Sequence, residues 1–187
     1  ERSVGLVVMG LLSIFQQKMI PLESVMSKVW NKKIFEHIQK DVDKASKDLA
    51  EERGACPDAA DYGIKERFSN KTAIAPTASI SIICGGTSPG VEPIAANSFT
   101  HKTLSGSFNV RNRYLEKILE KYNKNDDETW SGITTNQGSV SHLDFLTQQE
   151  KDVFKTAFEL DQKWIVELGA DRTPHISPVS YTHLTLP

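Results

Sequence analysis

The chain has 187 residues, 22 basic and 24 acidic side chains for a formal charge of −2, and a hydrophobic share of 39%. This describes one ordinary globular domain or a piece of one, and so near-neutral a balance lacks the one-signed basic patch that nucleic acid or an anionic membrane selects. Its two cysteines, Cys56 and Cys84, have neither the density of a disulfide scaffold nor metal-ligand spacing, which fits a reducing, cytoplasmic setting.

Glu1 stands where an initiator methionine would, so the natural chain is expected to begin upstream. The apolar run over residues 4–15 reads as helix-like but is interrupted by Gly5, Gly10 and Ser13. It is shorter than the roughly 20 residues of a spanning helix and has no basic leader, so no membrane or export segment is expected. Leu22, Val25, Met26, Val29, Trp30, Ile34, Ile38, Val42, Ala45 and Leu49 recur at three- and four-residue steps, predicting one long helix opened by Pro21 and closed by Gly54. Its opposite face, with Lys28, Lys32, Lys33, Lys40, Asp41, Lys44 and Asp48, reads as a solvated surface. A polar, turn-rich interval over 54–70 leads to a short buried strand over 72–75 whose length suits a parallel sheet. Residues 89–97 read as loop, 103–110 as a strand and 111–122 as a helix. Thr147 followed by Glu150 has the spacing of a capping box, and the helix it opens is expected to run to Gly169. Val153, Phe154, Ala157, Phe158, Trp164, Ile165 and Leu168 would form its apolar face.

The chemically informative stretch is residues 75–93, Ala-Pro-Thr-Ala-Ser-Ile-Ser-Ile-Ile-Cys-Gly-Gly-Thr-Ser-Pro-Gly-Val-Glu-Pro, which reads as strand, tight turn, helix start and glycine turn. Small hydroxyl residues at a helix mouth leave backbone N–H groups pointing outward, where the dipole favours an anion; Thr77 and Ser79 can add hydroxyl donors. The same residues also serve elsewhere as plain helix caps. The stretch matches neither the P-loop nor the dinucleotide fingerprint. Cys84, with no histidine or cysteine partner nearby in sequence, reads as a buried structural thiol, and Cys56 as a loop-packing residue. Glu92 is a lone loop carboxylate, and the scattered His37, His101, His142 and His175 suggest no metal cluster.

Several blocks resemble the large, catalytic subunit of ribonucleoside-diphosphate reductase, in that family's order. They are Arg2-Ser3-Val4-Gly5-Leu6 through Gly10, Ala50-Glu51-Glu52-Arg53-Gly54-Ala55-Cys56-Pro57, residues 75–93, and Thr100-His101-Lys102-Thr103-Leu104-Ser105-Gly106-Ser107-Phe108, with a weaker block over 155–172. The resemblance implies an α/β fold, part of a ten-stranded α/β barrel that is helix-rich in this stretch, and reduction of ribonucleotides to 2′-deoxyribonucleotides by a thiyl radical. It implies that Thr77, Ala78, Ser79 and Ile80 hold the substrate phosphates. No catalytic residue or metal ligand is assigned within the chain: the radical cysteine is expected upstream of Arg2, and the radical-transfer tyrosines and C-terminal cysteine pair beyond Ile176. A stretch without them is expected to be inactive alone.

The pair Ala78-Ser79 resembles class I, since cobalamin-dependent relatives tend to have Gly-Thr there, while Val7 stands where relatives often have glycine. Class I implies a ribonucleoside diphosphate substrate, a small radical-generating subunit, a large-subunit homodimer and thioredoxin or glutaredoxin as reductant. Nucleotide effectors, ATP among them, would bind mostly outside this stretch, and no cofactor is expected within it. The alternatives are a cobalamin-dependent class II reductase and a non-enzymatic helical interaction module. Residues 1–177 are thus expected to be the barrel fragment. Residues 178–187, Pro-Val-Ser-Tyr-Thr-His-Leu-Thr-Leu-Pro, resemble translated sequencing-adaptor read-through, so Tyr181 and His183 receive no function.

Overall fold

The computed structural model describes residues 2–103 and 106–177; the expected adaptor at 178–187, with Tyr181 and His183, lies outside them. In chain order the elements are β1 (Ser3–Val7), α1 (Leu11–Gln17), α2 (Val25–Arg53), α3 (Pro57–Asp61), β2 (Asn70–Ala73), α4 (Ala78–Ile83), β3 (Ser98–Thr103), β4 (Gly106–Arg111), α5 (Arg113–Lys121), α6 (Asp127–Thr135), α7 (Gln148–Val153) and α8 (Gln162–Arg172). They divide into two compact units, one comprising residues 2–8, 28–75 and 166–177, the other residues 9–27 and 76–165. No helix among the described residues is long and apolar enough to cross a membrane.

In the first unit, β1 and β2 run parallel, with Ser3 opposite Asn70, Leu6 opposite Thr72 and Val7 opposite Ala73. The apolar run that reads as helix from its first residues therefore begins as a strand, and the helix α1 starts only after Gly10, which takes a left-handed φ of 84°. Gly5 lets the strands close up, since a Cβ there would meet Ala73 Cβ at 3.2 Å. The expected strand at 72–75 is β2, displaced by two residues. Parallel strands need a long crossover, and the long helix provides most of it.

That helix, α2, ends at Arg53 before Gly54 with φ 80°, as expected, but starts at Val25 rather than Pro21. Its buried ridge is not the expected apolar stripe. Asn31, Phe35, Ser46 and Ala50 are buried, whereas Val25 is 71% exposed and Met26 and Val29 are also exposed. Polar side chains occupy the buried ridge because each has a partner there. Asn31 Nδ2 donates to the Leu168 carbonyl at 2.9 Å, and its Oδ1 accepts from Arg172 Nη1 at 3.3 Å. The Ser46 hydroxyl accepts from the Arg67 and Phe68 amides at 3.1 and 3.3 Å. Burial pulls the Arg172 guanidinium down to about 10, and it lies 5.9 Å from the Phe35 ring. Arg67 Nη1 donates to the Arg53 and Gly54 carbonyls at 3.0 and 3.1 Å, satisfying acceptors that a helix C-terminus leaves open.

The second unit is built on a core of Leu115 and Leu119 from α5, Trp130 and Ile133 from α6, Val140, Leu143 and Leu146 from the following loop, and Val153 and Phe154 at the end of α7. The ends of these helices are capped by side chains: Asn112 Oδ1 accepts from the Tyr114 and Leu115 amides, and Asp126 Oδ1 from the Thr129 amide. The capping box at α7 is present, with Thr147 and Glu150 exchanging side-chain and backbone hydrogen bonds. The strand expected at 103–110 is instead an antiparallel hairpin of β3 and β4, pairing Ser98 with Arg111 and His101 with Phe108.

The helix expected to run from Thr147 to Gly169 is broken, with α7 ending at Val153 and α8 beginning at Gln162. Two long-range hydrogen bonds and one local one take the backbone groups that would continue it. The Phe154 carbonyl accepts from Asn97 Nδ2 at 2.7 Å, the Ala157 amide donates to the Ile94 carbonyl at 2.8 Å, and the Thr156 amide to Glu159 Oε2 at 2.8 Å. Phe158, expected on an apolar face, is 70% exposed.

Burial pushes the Glu150 and Glu159 carboxyls up, but hydrogen bonds from Thr147 and Tyr122 to the first, and from Ser139 and Thr156 to the second, outweigh it and hold both below the usual glutamate range. A depressed folded-state value contributes stability present above the unfolded value and lost as pH falls through the folded one. Acidification should therefore lower the melting temperature, and Glu150→Gln should flatten that acid limb in melts taken across the acidic range. At Gly138, with φ 81°, a Cβ would fall 2.3 Å from Ala96 Cβ and 2.6 Å from its Cα. Gly138→Ala should destabilise by about 3 kcal/mol in denaturant unfolding, combining the left-handed penalty with overpacking.

Candidate functional site

The segment after β2 enters α4 through Thr77, which adopts φ 50° and ψ 30°, a left-handed conformation that a β-branched residue occupies at a cost of about 1–2 kcal/mol. Glycine turns close the other end, with Gly85 at φ 81° and Gly86 at φ 70°. The Thr77 carbonyl accepts the first helical bond, from the Ser81 amide at 2.9 Å. Its hydroxyl caps none of the helix amides; Oγ1 instead accepts from the Gly90 amide at 2.8 Å. That leaves the hydroxyl proton available to an external acceptor.

The plain-cap reading of Thr77 therefore fails on geometry. The amides of Ala78, Ser79 and Ile80 have no acceptor among the described residues, and all three residues are exposed. The Ser79 hydroxyl makes no hydrogen bond among the described residues. Thr77, Ala78, Ser79 and Ile80 thus come together as one open edge of three amides and two hydroxyls.

The neighbouring helix start is treated in the opposite way. Ser13 and Ser88 bond reciprocally, the Ser13 amide to Ser88 Oγ at 3.0 Å and the Ser88 amide to Ser13 Oγ at 2.8 Å. Thr87 Oγ1 donates to Ser13 Oγ at 3.1 Å, and the Gly10 and Leu11 amides go to the Ser88 and Gly90 carbonyls. The loop over 87–90 therefore seals α1 while bracing Thr77 through Gly90. Sequence reasoning missed Gly90, Ser88 and Ser13 as supports, because the seal joins residues 75 positions apart. It also missed Arg113, whose Nη1 lies 3.3 Å from a Cβ built on Gly85, at the carbonyl end of α4.

Cys84 follows α4 and is exposed, which corrects the expectation of a buried thiol. Of α4 only Ser81 is buried, so the residue that ends the helix meets solvent like the rest of it. Cys56 is 0% exposed, as a packing residue should be. Glu92 is exposed on its loop, and no cluster of three metal-ligating side chains occurs among the described residues.

A family model of the ribonucleotide reductase barrel domain matches residues 1–65 and 58–182. The chain belongs to that family. It is 43% identical over 187 residues to the ribonucleoside-diphosphate reductase large subunit of Invertebrate iridescent virus 3, covering 98% of this chain and 29% of that protein. It is 45% identical over 190 residues to the large subunit of Invertebrate iridescent virus 6, covering 100% of this chain and 20% of that protein. Its fold matches the Actinobacillus ureae class Id ribonucleotide reductase alpha subunit with a TM-score of 0.84 at 35% identity, covering 94% of this chain and 31% of that one. The chain thus spans under a third of the length of these relatives. Its helix-rich α/β fold is a part of the reductase barrel.

The two thiols differ enough in exposure to be told apart chemically. A thiol reagent such as iodoacetamide should label Cys84 in the native chain and reach Cys56 only on denaturation, as read by peptide mass spectrometry.

Proposed function

We propose that the protein carrying this chain is the large, catalytic subunit of a class I ribonucleoside-diphosphate reductase, and that this chain supplies the cradle for the substrate phosphates. The observation that carries the reading is the open edge at Thr77, Ala78, Ser79 and Ile80, where three amides lack acceptors among the described residues beside a strained, non-capping threonine. Backbone strain held in place by its surroundings is characteristic of ligand-binding segments. A diphosphate oxygen supplies what those amides lack. Charge-assisted hydrogen bonds to N–H groups are shorter and stronger than neutral ones. The two hydroxyls would add further donors, and Ile80 contributes only its amide.

On this reading the chain binds and orients substrate, and the radical chemistry at the ribose belongs to groups carried elsewhere in the protein. That chemistry reduces the 2′ carbon of a ribonucleoside diphosphate to give the deoxyribonucleotide used for DNA synthesis. The radical would come from a small partner subunit, the reducing equivalents from thioredoxin or glutaredoxin, and regulation from nucleotide effectors on a large-subunit dimer in the cytoplasm. Similarity to the two viral ribonucleoside-diphosphate reductase large subunits and to a class Id ribonucleotide reductase alpha subunit supports this assignment.

The test is the double variant Thr77→Val with Ser79→Ala in the full-length protein. Substrate KM should rise by roughly a hundredfold or more, with kcat at saturation little changed, since each of the two lost charge-assisted bonds is worth about 1.5–3 kcal/mol. Unaltered affinity for the diphosphate substrate would sink the cradle assignment.

A further inference from the structure

Gly10, at the start of α1, has no side chain with which to cap that helix. The cap comes instead from Ser88, whose Oγ accepts from the Ser13 amide at 3.0 Å, while Ser13 Oγ accepts from the Ser88 amide at 2.8 Å and the Thr87 hydroxyl at 3.1 Å. Ser13 and Ser88 are 5% and 3% exposed, so this clasp is shielded from water. A side chain at Gly10 would press on it, since a Cβ there would fall 2.6 Å from Thr87 Oγ1. The Gly10 and Leu11 amides complete the attachment, donating to the Ser88 and Gly90 carbonyls at 2.9 and 3.4 Å.

The clasp decides between two uses of the Thr77 hydroxyl. Gly90, held on α1 with φ 48°, presents its amide to Thr77 Oγ1 at 2.8 Å. A threonine that precedes a helix ordinarily takes an extended backbone and turns its oxygen to the second or third amide of that helix, here Ser79 or Ile80. Thr77, at φ 50°, does neither. The extended alternative escapes the left-handed penalty and gains a helix cap, so the local sequence favours it. What opposes it is Gly90, a buried residue whose amide would lose its acceptor if the hydroxyl turned away.

We propose that Ser13 and Ser88 are positioning residues for the substrate: by fixing Gly90 against Thr77 they keep Thr77 from capping α4, and so keep the Ser79 and Ile80 amides open to the substrate phosphates. The inference rests on the cradle reading and adds the device that sets the affinity of that site. Neither serine contacts the phosphates; both act through Gly90 and Thr77. Without the clasp the capped and open forms compete, and the apparent affinity falls in proportion to the fraction that stays open. A cap of ordinary strength closes the amides in roughly four molecules out of five.

The test uses Ser88→Ala and Ser13→Ala in the full-length protein. Residue-resolved hydrogen exchange of the Ser79, Ile80 and Gly90 amides is measured without substrate, and steady-state kinetics with the ribonucleoside diphosphate. Each variant should speed exchange at Gly90, slow it at Ser79 or Ile80 by roughly fivefold, and raise substrate KM by a similar factor with a smaller change in kcat. Ser88→Thr keeps the hydroxyl and should return all three quantities toward those of the unmutated protein. In a Thr77→Val background, which has no hydroxyl to cap with, Ser88→Ala should slow neither helix amide. Faster exchange at all three amides would mean that the clasp only stiffens the fold, and would overturn the proposal, as would helix amides that neither variant slows. Slowed exchange with KM unmoved would also overturn the positioning role. The cradle itself stands or falls on the Thr77→Val, Ser79→Ala double variant, so the two failures are told apart.

Discussion

The side chain of Asn97, 1% exposed, is the joint on which the second unit depends. Its Nδ2 reaches the Gly138 carbonyl at 2.9 Å and the Phe154 carbonyl at 2.7 Å, while its Oδ1 accepts from Asn112 Nδ2 at 2.8 Å. Its backbone joins the same partners, the amide to the Gly138 carbonyl and the carbonyl to the Asn112 amide. One buried amide thereby ties the start of the hairpin to the cap of α5, the turn after α6 and the end of α7. In a low-dielectric interior such a satisfied network specifies a single arrangement, because any alternative strands several polar groups at once.

Much of the remaining geometry follows from that joint. Gly138 approaches Ala96 and the Asn97 amide so closely that no side chain fits, and its left-handed backbone belongs to the turn that ends α6, where its amide donates to the Ile133 carbonyl at 2.8 Å. Asn112 is both a helix cap and a link to Gln16, so the same network reaches α1. The loop over 87–90 then fixes α1 on one side and Thr77 on the other. A six-residue helix such as α4 has little macrodipole of its own, and its open amides gain their value from being held rigidly at exposed positions.

The candidate site was the most legible part of the sequence. A short hydroxyl-rich helix start followed by a glycine turn announces exposed amides, and the resemblance to the reductase family located them at Thr77, Ala78, Ser79 and Ile80. What could not be read was that Thr77 declines to cap its own helix, since the competing donor, the Gly90 amide, is brought back by a loop. Nor could the apolar repeat along α2 show that its buried ridge lies at Asn31, Phe35, Ser46 and Ala50. Periodicity locates apolar side chains, whereas half of this ridge is polar, with partners on α8 and just before β2.

The sequence by itself determined the features whose causes lie within a few residues: the Thr147 and Glu150 capping box, the end of α2 at Gly54, the glycine turn after α4 and the short second strand. Only the tertiary structure decided the break between α7 and α8, the β3–β4 hairpin and the link from Asn112 to Gln16. The physical reason is the separation of the partners. Asn97 meets Gly138 and Phe154 across 41 and 57 residues, and bonds of that span override local helix propensity without leaving any periodic trace in the chain.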